Sequence, residues 1–168
     1  MGMEIIITKG RSADRIALTR ADGSRAETTF PKKGPVPHDA VHLFVERALG
    51  LRQGFWGMVA AGRHPEELAA LAAAMGHASA KRAEVPDPAI VELIQAERLV
   101  ECFEAELWGG GGDDDALVAV AETACEASLV PMPHLPEGSL ARIRSELGTF
   151  AREWIAAPEG HLARFEWA

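Results

Sequence analysis

The stretch EIIITKGRSADRIALTRADGSRAETTF, residues 4–30, decides the fold. Within it, residues 4–8, 14–20 and 25–30 are rich in Ile, Thr or Phe or alternate apolar with polar positions, as strands with one buried face do. Between the second and third lies Ala21-Asp22-Gly23-Ser24, where the Asp-Gly pair suits the positive φ angles of a tight hairpin. The segment therefore reads as an antiparallel meander. At the far end of the chain, Ala163, Phe165 and Trp167 alternate with Leu162, Arg164 and Glu166, so the tail is expected to return to the meander as a fourth strand.

Between these ends the apolar period changes from two to 3.6. After the proline-rich loop FPKKGPVP, residues 30–37, Val41, Phe44, Val45, Ala48 and Leu49 share one face of a helix, and Gly50 suits its left-handed end. Residues 54–62, GFWGMVAAG, are apolar, short and bounded by glycine, and read as a buried connection. Pro65 with Glu66 and Glu67 opens an alanine-rich helix running to about Ala78, and Asp87-Pro88 opens another over about 89–108. The run GGGGDDD, residues 109–115, reads as a flexible link whose last residue, Asp115, caps a helix over 116–127. A final helix over about 139–156 carries the stripe Leu140, Ile143, Leu147, Phe150 and Trp154. Strands followed by helices imply an α+β fold, an antiparallel meander with a C-terminal strand packed against about five helices, with residues 1–168 as one domain.

Composition narrows the function. The chain holds 25 acidic against 17 basic residues, a formal charge of −8, which disfavours nucleic acid and anionic membranes as partners. The N-terminal apolar run is short and preceded by Glu4, unlike a signal peptide or a membrane span, so a cytoplasmic location is expected. Cys102 and Cys125 have no neighbouring cysteine and fall inside helical stretches, so both read as buried free thiols. The GGGGDDD run lacks the Gly-Lys-Ser/Thr ending of a phosphate loop and the alternating ligands of a calcium loop. Lys32 and Lys33 form too small a cluster for nucleic acid, His64, His77, His134 and His161 occur singly in loops, and Trp56 reads as a packed core residue.

One segment carries candidate chemistry: PHDAVHLFVE, residues 37–46. His38 and His42 stand four apart on a helix, so their imidazoles share a face and suit chelation of one metal. Glu46, about 12 Å of helix from His38, reaches His42 only. The helix over 89–108 offers Glu97, Glu101 and Glu104 at i, i+4, i+7, a carboxylate ridge in need of partners. If the two helices pack together, His38, His42 and Glu97 or Glu101 would hold zinc or another divalent transition metal and leave a position open for water or substrate. Capping chemistry accounts for Pro37 and Asp39 equally well, since proline and first-turn acids both favour a helix start.

The pentapeptide HDAVH resembles the H-E-x-x-H motif of metallopeptidases, with Asp in place of Glu. That resemblance implies His38 and His42 as ligands and Asp39 as the general base, with the third ligand unassigned. More widely, residues 30–62 resemble a segment of a family of small bacterial proteins, a resemblance that implies no particular activity. Two functions stay open at this point. The first is a non-catalytic module binding a protein partner or a small molecule, with homo-oligomerisation left open. The alternative is a metal-dependent hydrolase with a site built on His38, His42 and a glutamate.

Overall fold

The computed structural model describes residues 2–75 and 85–168. Four strands, β1 (Met3–Thr8), β2 (Ala13–Thr19), β3 (Arg25–Pro31) and β4 (Leu162–Trp167), form one antiparallel sheet in the order β3-β2-β1-β4. The register aligns Phe165, Ile5, Leu18 and Ala26 in one row and Ala163, Ile7, Ile16 and Thr28 in the next. All these side chains face the helices, because alternation along each strand puts the apolar set on one side. The opposite face carries Glu4, Arg15, Glu27, Arg164 and Glu166.

Among the described residues six α-helices pack over the inner face and on one another: α1 (His38–Leu49), α2 (Phe55–Ala60), α3 (Pro65–Met75), α4 (Val91–Gly109), α5 (Asp114–Ala127), which packs on α4, and α6 (Ser139–Ala156). The α+β class and the return of the C-terminal strand agree with the sequence. Helix α1 is central. It packs on α4, α6 and α2, and Phe44 meets Phe165 of the sheet and Phe150 of α6 at ring-centroid distances of 5.8 and 5.6 Å. Ala40 and Leu43 are buried along with the expected stripe, so this helix is enclosed on more sides than its apolar face suggests. Gly50 ends it at φ 68, a conformation that costs glycine nothing, and its N–H closes on the Glu46 carbonyl.

Three expectations need correction. Residues 54–62 hold a short helix, α2, because the Glu46 side chain supplies the acceptor its first amides need. The cap of α5 is Asp113, whose side chain accepts from the Ala116 amide at 2.8 Å, so Asp114 and Asp115 already lie in the first turn. Cys102 is half-buried, whereas Cys125 is buried as expected; both are free, and burial pushes both thiols up to about 11. The expected helix over 89–108 is α4, preceded by a 3-10 turn at Pro88–Ile90 capped by Asp87. The expected end of α3 near Ala78, and His77, lie outside the described residues.

Among the described residues, no helix is long and apolar enough to cross a membrane. Strand β4 is an edge strand held by its full register with β1 and by Phe165, which also meets Phe150 at 5.6 Å. Truncation after Pro158 removes this strand and uncovers Met3, Ile5 and Ile7. The truncated protein should therefore lose cooperative unfolding in a denaturant titration, while Phe165→Ala should keep it and lose about 2–4 kcal/mol, the cost of an aromatic deletion at a partly covered site.

Candidate metal centre

Helix α1 begins at His38 because Pro37 sits in extended conformation at its N-cap and Asp39 favours the positive end. The four-residue spacing then stacks His38 and His42, with ring centroids 4.8 Å apart and planes at 72°. Helix α4 packs alongside and delivers Glu97. One carboxylate oxygen of Glu97, Oε1, lies 2.7 Å from His42 Nε2 and 3.1 Å from His38 Nε2. One ligand atom from each of His38, His42 and Glu97 thus lies within 4.8 Å of the others.

The other nitrogen of each imidazole is held from behind. His42 Nδ1 donates to Glu46 Oε2 at 2.8 Å, and His38 Nδ1 lies 3.0 and 3.1 Å from the two oxygens of Glu104. Glu46 is fully buried, and its carboxylate also accepts from the Phe55 amide and the Trp56 amide, each at 2.9 Å. Trp56 is wholly buried and its indole N–H donates to the Asp39 carbonyl at 2.8 Å, tying α2 back to the start of α1. Gly54 permits this closeness: a Cβ there would fall 2.6–2.9 Å from the Glu46 carboxylate atoms.

Electrostatics follow the geometry. Burial alone would lower the His38 pKa, but hydrogen bonds to Glu104 and Glu97 outweigh it and push the group up to about 9. His42 obeys the same balance: burial opposes its charge, yet Glu46 and Glu97 hold it well above the usual histidine range. Burial also opposes ionisation of Glu97, and the two histidines overcome it and hold the carboxyl well below the usual carboxylate range. Asp39 goes the other way, raised by burial despite both histidines nearby.

The residues singled out in the sequence therefore divide. His38, His42 and Glu97 come together, Glu104 joins them through His38, and Glu46 reaches His42 alone. Glu101 is set apart: its carboxylate pairs with buried Arg98 at 2.6 Å on the same helix, so that part of the ridge has a partner already. Asp39 shares the cavity described next with His38 and Glu97, and among the described residues no hydrogen bond holds its carboxylate. Sequence reasoning missed the amides of residues 55 and 56 as partners of Glu46; the glycine at 54 was their one visible signal.

The centre lines a cavity of about 570 Å³, which runs between the sheet, α3 and α4. Its walls include Ile7, Ile16, Phe30, Val36, Phe55 and the alanines of α3. Lys32 lies in the wall too, paired with buried Asp14 at 2.6 Å and placed 5.7 Å from the Trp154 ring centroid. No family model, curated protein or solved structure matches this chain.

Two predictions follow from this construction. In metal-free protein held with a chelator, the stability that protonated His38 draws from Glu97 and Glu104 should be complete below the unfolded value near 6.5 and vanish as pH rises through about 9. Denaturant midpoints recorded across that window should fall in the wild type and fall less in His38→Ala. Gly54→Ala should lower stability by about 1–3 kcal/mol, because the Cβ meets a carboxylate clamped on three sides and the backbone angles at 54 suit alanine.

Proposed function

We propose that the protein is a divalent-metal-dependent hydrolase acting on a small molecule, with the metal held by His38, His42 and Glu97. The observation that carries this reading is the convergence of both Nε2 atoms on one Glu97 oxygen at a cavity wall, while a separate carboxylate holds each Nδ1. Donors about 2 Å from a tetrahedral zinc stand about 3.3 Å from one another, so the spacings of 2.7 and 3.1 Å to Glu97 would open by a few tenths of an ångström, and the cluster, whose ligand atoms lie within 4.8 Å of one another, would draw in across the two imidazoles. Carboxylates behind histidine ligands fix the Nδ1–H tautomer and aim Nε2 at the metal. Glu46 and Glu104 stand in that position.

Three protein ligands leave a fourth position for water, whose pKa a zinc ion brings to about 7. Asp39, which lines the same cavity, would serve as the base. A metal held by His38, His42 and Glu97 would supply an activated water to attack an acyl carbon, and the Asp39 carboxylate would accept a proton from that water and return it to the departing group as its bond to that carbon breaks. One water is consumed and nothing is oxidised or reduced. The two free thiols support a reducing, cytoplasmic setting for this activity.

A second reading has its own observation. With both imidazoles protonated, every ring nitrogen already meets a carboxylate, so the cluster satisfies itself as an ion network in a non-catalytic ligand-binding module.

Elemental analysis of protein purified without chelator should find one divalent transition metal per chain. Zinc added to the metal-free protein should raise the Tm, and His42→Ala should abolish both uptake and the shift. At pH 7.5, zinc binding should release protons from the imidazoles, read as a heat of binding that varies with buffer ionisation enthalpy. Asp39→Asn should leave uptake intact and lower turnover by about 10²–10⁴-fold. A protein that takes up no metal and loses no stability to chelator would leave the ion-network reading standing.

A further inference from the structure

The cavity beside the metal centre has a distribution of charge that bears on what it holds. Four of its five acids are engaged, Asp14 with Lys32, Glu101 with Arg98, and Glu97 and Glu104 with the histidines, while the Asp39 carboxylate has no hydrogen-bond partner among the described residues. Lys32 is likewise engaged, by Asp14 and by the face of Trp154. Beyond the metal end, the walls are the Ile7 and Ile16 floor of the sheet, Phe30, Phe55 and the Ala69 and Ala72 face of α3. Alanine on the wall helix matters, since a short side chain leaves the space above the sheet open where a leucine would fill it. The volume of about 570 Å³ lies in the range of about 300–1,000 Å³ typical of sites for drug-sized ligands.

We propose that this cavity binds a small amphipathic acyl compound, with an oxygen-bearing head group at His38, His42 and Glu97 and an apolar chain lying along Phe30 and the Ala69 and Ala72 face of α3. The inference rests on the metal reading above and adds to it the class of substrate. An extended peptide is disfavoured as occupant, because its backbone amides would lie against Phe30, Ala69 and Ala72 without partners. An aliphatic chain loses nothing there and gains apolar burial.

The test uses the full-length, zinc-loaded protein and a series of straight-chain hydroxamates from acetohydroxamate to decanohydroxamate, measured by calorimetry. Acetohydroxamate reads the metal alone. Affinity should then rise about threefold to fourfold for each added methylene until the cavity is full, the gain that burial of one methylene confers. Ala72→Phe should flatten that rise and weaken the eight-carbon compound at least tenfold, with zinc content and acetohydroxamate binding unchanged. Ala72→Ser, which adds little bulk, should keep the rise and serves as the control for folding. A chain-length series that is flat in the wild type, or an unaltered rise in Ala72→Phe, would overturn the proposal while leaving the metal site intact. Absence of zinc uptake would overturn both.

Discussion

A carboxylate with no access to water stands at the centre of this molecule. Glu46 is fully buried on α1, and leaving such a charge uncompensated costs several kcal/mol. Three donors offset it, the amides of Phe55 and Trp56 and the Nδ1–H of His42, each charge-assisted bond contributing about 1.5–3 kcal/mol. None of the three is optional, because an acceptor buried here has no water to fall back on. The chain must therefore turn sharply after Gly50 and bring the start of α2 onto the flank of α1. Gly54 is where the two approach closest.

Several features of the fold descend from that constraint. With α2 anchored, Trp56 fills the core beside Asp39, and its indole N–H ties down the first turn of α1. The ring of His42 is fixed by its bond to Glu46, so Nε2 has only one direction in which to point, toward α4. Glu97 stands there because α4 presents Leu93, Ile94, Leu99 and Val100 to the core and leaves Glu97 at the margin of that apolar face. The first turn of α1, which is the least enclosed part of the helix, leaves His38 and Asp39 beside the cavity. Packing and candidate chemistry thus share one set of contacts, and a change that loosens α2 also frees the imidazole.

Much of this was legible in the chain itself, and the reasons are specific. The strands showed because each has one wet face, which leaves a strict alternation such as Ala163, Phe165, Trp167 against Arg164 and Glu166. The two histidines and the Glu97 ridge showed because spacing on a helix is fixed by its pitch, and Glu46 could be assigned to His42 by length alone. Helix α2 did not show. Six apolar residues between glycines have no wet face to produce a period, and what makes them helical is an acceptor from a residue nine positions earlier. Glu101 and Glu97 were not told apart for a related reason: both sit on the ridge, and the azimuth at which α4 packs turns Glu97 to the histidines, while Glu101 pairs with Arg98 on its own helix.

The cavity belongs wholly to the category that one-dimensional reading misses. Its floor comes from β1 and β2, its sides from the proline-rich loop and Phe55, and its far wall from alanines whose small size looks unremarkable in a helix. Local pattern explains each of these segments without reference to a ligand. Alanine favours helix, Ile7 and Ile16 favour strand, and the prolines of residues 31–37 end one and precede the other. Yet the sum is a space of about 570 Å³ against the cluster of His38, His42, Glu97 and Glu104. Short side chains at Ala69 and Ala72 leave this space open, and a larger residue at either position would narrow it. Short side chains on α3 and the imidazole end of α1 bound one and the same space, and the proposed substrate class rests on that juxtaposition.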